Sequence, residues 1–338
     1  MGYMVREADL RTESASLLAL WSRNAPSAKR QRYSWLYEAN PAGPSLAWVA
    51  TTRAGEMVGC AGLSSRLMKI GRRCAPTGQA VDLMVDARHR TAGPAVQLQR
   101  AVTASCQGLG IPLIYAFPNR QSEGVLRRAG YHVLGRLESW TKPLRSAYKI
   151  KNKATALIVD AALRLRAGEW PYRRPPGMRA AMLSDFDRRF DDLWRTASQQ
   201  FPFIGDRSAR YLRWRFGTYP ARAYSAFGLI GSEDQLEAYL VFYRHEKRVT
   251  IADMLATDAP HLRTLLVEFS REMRSAGATF LTLMYCGASW VAEALRRVGF
   301  FPGSKEGHVL VFLGVSGHEV EELLKPHNWY LTEADRDV

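Results

Sequence analysis

Apolar and polar positions alternate along this chain in two recognisable periods. Leu10, Leu17, Leu18, Leu20 and Trp21 recur at helical spacing and predict a helix over Asp9–Arg23. Tyr33–Ala39 predicts a second, shorter helix, closed by Asn40-Pro41-Ala42-Gly43-Pro44. Leu46–Thr51 and Met57–Ser64 are apolar runs joined at Arg53-Ala54-Gly55, the pattern of a hairpin. Gln79–Val85 reads as a buried strand, Ala95–Gly108 as a helix, Leu113–Phe117 as a strand, and Ser122–Ala129 as a helix stopped by Gly130. Tyr3–Glu7 opens this series as a strand and another strand follows Gly130. The order is β-α-α-β-β-β-α-β-α-β, a mixed-sheet α/β (α+β) domain rather than a bundle or a sandwich.

The pattern then repeats. Trp35-Leu36-Tyr37-Glu38-Ala39-Asn40-Pro41 matches Trp214-Arg215-Phe216-Gly217-Thr218-Tyr219-Pro220, both W-x-aromatic-x-x-x-P. Leu126-Arg127-Arg128-Ala129-Gly130-Tyr131 matches Leu295-Arg296-Arg297-Val298-Gly299-Phe300. Between them Asp82-Leu83-Met84 faces Asp253-Met254-Leu255. Three matches in one order at similar spacing indicate two tandem copies of one domain. The expected division is 1–144, a linker over 145–178, and 179–338. Within the linker, Arg145–Trp170 reads as helical, with Ala154, Leu157, Ile158, Ala161, Ala162 and Leu165 on one side. Lys149, Lys151, Lys153, Arg164 and Arg166 decorate the remainder. Such a helix either packs between its own two domains or forms a basic amphipathic surface for anionic lipid. Pro171-Tyr172-Arg173-Arg174-Pro175-Pro176-Gly177 then ends it.

Charge sharpens the division. The 338 residues carry a net charge of +15. Residues 1–150 hold 21 Lys and Arg against 9 Asp and Glu, and residues 179–338 hold 20 against 21. A basic first half calls for a polyanionic partner: nucleic acid, an acidic membrane surface or a multiply phosphorylated cosubstrate. Zinc, helix-turn-helix and aromatic-basic signatures of nucleic-acid binding are missing from the sequence. Cys60, Cys74, Cys106 and Cys286 lack C-x-x-C spacing, which speaks against a metal site or disulfide framework and for a reducing, cytoplasmic setting. The start has no apolar signal core, and no stretch is long and apolar enough to span a bilayer.

The chemistry is concentrated in Asp82-Leu83-Met84-Val85-Asp86-Ala87-Arg88-His89-Arg90-Thr91-Ala92-Gly93-Pro94-Ala95-Val96. A buried strand runs into a small-residue turn that opens a helix. Free backbone N–H groups and the positive helix end then point at one spot, a geometry suited to a pyrophosphate. Pro94 lacks an N–H but suits the first helical turn. Asp82, on the strand just before the turn, is a candidate base; Asp253 in the matching position also fits a role in the shared fold.

Arg90-x-x-Gly93-x-Ala95 resembles the acetyl-CoA loop, Q/R-x-x-G-x-G/A, of the GNAT superfamily of N-acetyltransferases. The segment Ile114–Ser122 followed by Leu126–Tyr131 resembles that family's strand, Asn, helix and closing G-F/Y segment. The likeness covers residues 3–140, and the tandem arrangement is similar to bacterial two-domain GNAT proteins, some of them in polysaccharide or cell-envelope pathways. The resemblance implies acetyl-CoA as cosubstrate and a small-molecule or protein amine as acceptor. It places Leu83, Met84 and Val85 along the pantetheine arm and Arg90, Thr91, Ala92, Gly93, Pro94, Ala95 and Val96 around the pyrophosphate. Asn119 and Ser122 fall near the thioester, and Tyr115 or Tyr131 becomes the proton donor to the leaving thiolate. Gln79 stands where the family often places a carboxylate base, a task glutamine cannot perform. In the second copy the same offset sets His261 against Arg90 and Thr264 against Gly93, so no CoA is expected there. The alternatives are a catalytically degenerate acyl-CoA-binding or scaffold protein, and nucleic-acid binding by the basic half.

Overall fold

A computed structural model describes residues 2–25, 30–146, 150–170, 172–314 and 319–337. In the first half β1 (Met4–Glu7) and α1 (Ser14–Asn24) lead into β2 (Leu46–Thr51), β3 (Met57–Ile70) and β4 (Arg73–Val85). Helix α2 (Pro94–Ala104), β5 (Leu113–Ala116), α3 (Glu123–Arg128) and β6 (His132–Pro143) follow. Helix α4 (Lys153–Arg166) precedes the second half: β7 (Arg179–Leu183), α5 (Arg188–Ala197), β8 (Phe203–Gly205), β9 (Ser225–Ile230), β10 (Leu236–His245) and β11 (Arg248–Ala256). It closes with α6 (Ala259–Ser275), β12 (Phe280–Gly287), α7 (Ser289–Arg297), β13 (Phe301–Leu313) and β14 (Trp329–Leu331).

The strands join into one mixed sheet in the order β1-β2-β3-β4-β5-β13-β6-β12-β11-β10-β9-β7. The two halves are interlocked, because β13 enters the first half between β5 and β6, while β6 pairs with β12 of the second. Each half thus completes the other's sheet, and no sheet edge is left at the junction.

The three sequence matches occupy equivalent places. Ser34–Glu38 and Arg213–Gly217 both form wide π-type turns, closed by Ala39 N–H to Ser34 O at 2.9 Å and Thr218 N–H to Arg213 O at 3.0 Å. Trp35 and Trp214 stack across the junction. The L-R-R-x-G-aromatic pair ends α3 and α7 alike: Tyr131 N–H bonds Leu126 O at 3.2 Å and Phe300 N–H bonds Leu295 O at 3.0 Å.

Several boundaries differ from those read in the sequence. The hairpin of β3 and β4 extends through Arg66–Thr77, where polar side chains obscure the strand period; Arg66 is nevertheless buried, its guanidinium on Gln79 Oε1. Helix α1 begins five residues later than expected, since Asp9 and Glu13 bond the local backbone in a turn. In the linker the helix is only Lys153–Arg166, with Asn152 capping Thr155 N–H. Lys149 lies outside the described residues.

Candidate active site

Strands β4 and β5 are parallel neighbours at only two positions, Gly78↔Ile114 and Gln79↔Tyr115. Strand β4 runs on to Val85, held on its other side by β3, while the chain turns away after Ala116. Over Ala80–Leu83 the β4 edge toward β5 therefore has no strand partner. A cavity of about 290 Å³ opens in this gap, lined by Ala80, Asp82, Leu83, Phe117, Asn119, Ser122 and Asp337 among others. A free strand edge beside an elongated gap can accept an extended, amide-bearing ligand as an added strand.

Asp82 sits at a bulge, with φ of +51°, where β4 shifts register against β3. The bulge turns its carboxylate toward two partners. Oδ1 accepts from Arg32 Nη1 at 2.8 Å and Oδ2 from the Tyr37 hydroxyl at 2.9 Å. Burial and then the Asp82 charge push the Tyr37 phenol well above its usual range, so it stays a donor. The Asp337 carbonyl accepts from Arg32 Nη2 at 3.1 Å, and its carboxylate lies 4.0 Å from the same nitrogen. Burial, followed by Asp82, raises the Asp337 carboxyl above the ordinary aspartate range. One cation thus bridges two carboxylates at the cavity wall. The approach to Asp337 is fixed from behind, where Arg215 donates to the carbonyls of Ala334, Glu333 and Arg336.

Beyond the cavity, β4 leads into the strand-to-helix turn. Ala87–Ala92 form a 3-10 turn whose backbone includes Thr91 and Ala92, Gly93 adopts φ of +87°, and Pro94 opens α2. Gly93, at the cap position, has no side chain with which to cap this helix end. The N–H groups of Ala95 and Val96 lie in its first turn, where no intrahelical acceptor exists. A Cβ on Gly93 would meet nothing within 4 Å, so the space before the helix is open. Arg90 braces the turn, donating from Nε to Val85 O at 3.0 Å, and its side chain is exposed. Met84 is half-buried beside the core. Asn119 Oδ1 accepts the N–H groups of Gln121 and Ser122 at 3.0 and 2.9 Å, an Asx turn that sets the start of α3 against the cavity.

No protein-family model matches the sequence. No curated protein matches it either. Solved structures do. A protein of Enterococcus faecalis described as a probable N-acyltransferase superposes with a TM-score of 0.69 at 10% identity, over 93% of this chain and 73% of its own. A GCN5-related N-acetyltransferase from Anabaena variabilis gives 0.67 at 15% identity, over 92% and 73%. Saccharomyces cerevisiae N-myristoyltransferase with bound myristoyl-CoA gives 0.54 at 11%, over 92% and 82%. The fold is that of the GCN5-related N-acetyltransferases.

In this GNAT fold the residues expected to do chemistry separate into two groups. Asp82, Leu83, Asn119 and Ser122 meet at the cavity. Tyr115 does not. It alternates with Ala116 along β5 and points into the opposite layer, among Met68, Leu134 and Phe203, where burial pushes its phenol up. The expected proton donor is therefore absent from the lining of this gap. Tyr131 is likewise buried, its hydroxyl on Gln99 Oε1 at 3.3 Å. Cys60 and Cys106 are buried thiols whose pKa burial raises, unsuited to nucleophilic work. Asp337 was missed from sequence because it belongs to no motif and stands far along the chain from Asp82.

The second half carries the same splay, but the chain fills it. Strands β11 and β12 pair from Arg248↔Phe280 to Ile251↔Leu283, and then β14 takes the vacated edge at Cys286↔Leu331 and Gly287↔Tyr330. The Trp329 carbonyl comes so close to Gly287 that a Cβ there would overlap it. The Tyr330 hydroxyl donates to Met254 O, and Thr332 Oγ1 donates to Asp253 Oδ1 at 2.7 Å. Asp253 repeats the Asp82 pattern, with Arg207 at 3.0 Å and the Tyr239 hydroxyl at 2.7 Å, but is fully buried. The turn before α6 is also different in kind. Only Thr257 and Asp258 separate β11 from α6, and Asp258 caps the helix by accepting His261 N–H at 2.7 Å. The pairing of Thr264 with Gly93 is thereby corrected: the loop is shortened rather than substituted, and Thr264 is a buried residue inside α6 bonded to the Tyr172 hydroxyl at 2.7 Å.

Proposed function

We propose that this protein is an acyl-CoA-dependent N-acyltransferase whose single acyl-CoA site lies in its first half. The observation that supports this most directly is the succession along one strand of a cavity walled by Asp82 and Asp337, a β4 edge without a strand partner, and a glycine-led helix start at Gly93–Val96. Each part answers one part of the cosubstrate. The N–H groups of Ala95 and Val96 hold the pyrophosphate, aided by the helix dipole and the basic surroundings. The backbone of Leu83 and Met84 pairs with the pantetheine amides. Thr91, Ala92 and Pro94 shape the turn, and Val85 anchors it by giving its carbonyl to Arg90.

The acceptor is an amine, which must lose a proton to attack a thioester carbonyl. The carboxylate pair Asp82 and Asp337 takes that proton, with Arg32 holding both groups in place. As the C–S bond breaks, the sulfur leaves as a thiolate and takes up a proton from solvent or from the carboxylate pair. We assign acetyl as the transferred group, because about 290 Å³ lies at the small end of ligand cavities and must also house the end of the pantetheine arm. Within this reading residues 1–144 bind acyl-CoA and supply Asp82, 145–178 link, and 179–338 supply Asp337 and brace the tail that carries it. An amino sugar of a cell-envelope or polysaccharide pathway is the acceptor class to try first.

The test is free-thiol release from acetyl-CoA with a panel of amino sugars, amino acids and peptide amines. Amine-dependent release by wild type, greatly reduced in Asp82→Asn, supports the reading. CoA binding without release for any acceptor favours the degenerate, acyl-CoA-binding alternative.

A further inference from the structure

Among the described residues helix α4 is buried mainly along one side. Ala156 is buried on that side, Val159, Asp160 and Leu163 are half-buried, and Ala167 is buried just beyond the last turn. On the opposite side Leu157, Ile158 and Leu165 are 71%, 72% and 65% exposed. Ala154 and Ala162 are exposed with them. At 3.6 residues per turn these five positions form a stripe about 140° wide. Trp170, shortly after the helix, is 67% exposed.

The charges of this segment are sorted in the same way. Lys153 and Arg164 border one side of the stripe and Arg166 the other, and all three are exposed. The two acids are turned inward. Asp160 Oδ1 accepts the Ser146 N–H at 2.6 Å, and Glu169 is buried between Lys142 at 2.6 Å and Arg274 at 2.8 Å. The segment therefore presents an apolar centre, a cationic rim and none of its own carboxylates.

We propose that α4 is an interfacial anchor that lies in the plane of an anionic phospholipid bilayer. Leu157, Ile158 and Leu165 enter the acyl boundary while Lys153, Arg164 and Arg166 meet the headgroup phosphates. Charge decides between this occupant and others. A second copy docked on the stripe by a two-fold axis would set these three cations against their own equivalents. A nucleic acid would satisfy the cations and leave the aliphatic centre against a polar backbone. No helix among the described residues is long and apolar enough to cross a membrane, so the contact is peripheral.

The full chain can be sedimented with vesicles of phosphatidylcholine containing phosphatidylserine, and with phosphatidylcholine alone. Leu157→Glu/Ile158→Glu and Arg164→Glu/Arg166→Glu change exposed positions, and unaltered thermal unfolding checks that each variant folds. Wild type should pellet with the anionic vesicles, less so at high salt, and each double variant should lose at least about tenfold in partitioning. Four results would overturn the proposal: no pelleting of wild type, undiminished pelleting of Leu157→Glu/Ile158→Glu, retention of labelled duplex DNA in place of vesicles, or a wild-type dimer that the same variant converts to monomer.

Discussion

Trp35 and Trp214 face each other across the junction of the two halves with ring centroids 4.4 Å apart and planes within 5°. Each donates its indole N–H to the other's backbone carbonyl, at 2.9 and 3.0 Å. The pair is the pivot of an internal two-fold, and β6 and β13 cross between the halves on the same plan. Both rings are buried, and each removal takes an indole donor away from the opposite carbonyl.

Trp35→Ala is expected to cost about 3–5 kcal/mol, the range for a buried large aromatic. Interlocked strands make the two halves one cooperative unit, so urea unfolding should remain a single transition at a lower midpoint. Two separated transitions would show that the halves unfold independently.

The repeats that carry this symmetry were legible in the sequence because each is a local pattern. W-x-aromatic-x-x-x-P makes a turn from adjacent residues, and L-R-R-x-G-aromatic ends a helix. The strand-turn-helix segment at Arg90, Gly93 and Ala95 was legible for the same reason, since these residues lie within six positions. What joins distant segments was not. Nothing near Trp329–Leu331 marks it as the strand that plugs the second notch, because its partners at Cys286, Gly287 and Met254 are found only in the folded chain. Asp337 escaped notice likewise, and Tyr115 was misplaced because strand alternation fixes a face without saying which face meets the cavity.

Asp337 should govern the acid limb of the rate profile. Its folded-state pKa is raised, so the carboxylate remains protonated to a higher pH than an ordinary aspartate and activity rises through that raised value. Measured kcat/KM should fall on the acid side at a higher pH than the titration of an ordinary aspartate would give. Asp337→Asn removes the group with the raised pKa, so it lowers kcat and abolishes that limb. An unmoved limb with unaltered kcat would remove Asp337 from the mechanism.

Tyr115→Phe should leave turnover essentially unchanged, because the hydroxyl faces the layer opposite the cavity. A loss of kcat at constant stability would restore this residue as the proton donor.

Glu169 ties the linker to both halves through Lys142 on β6 and Arg274 on α6. Glu169→Gln leaves two buried cations without their anion and should cost about 3–5 kcal/mol. Although burial opposes ionisation, the two cations hold the Glu169 carboxyl below its usual pKa. Its contribution is then complete above the unfolded value near about 4.3 and is lost as pH falls through the lower folded value. Acid unfolding followed by circular dichroism should show wild type losing its advantage over Glu169→Gln in that window. A constant gap between the two curves would contradict the assignment.

The most direct measurement is calorimetric titration of acetyl-CoA into wild type, Gly93→Glu and Ser232→Glu. Ser232 is exposed in the second half and serves as the charge-matched control in place of buried Thr264. One equivalent per chain in wild type and Ser232→Glu, with none in Gly93→Glu, is the expected result. Two equivalents per chain, no binding by wild type, or equal affinity in Gly93→Glu would contradict a single CoA site at the turn before α2.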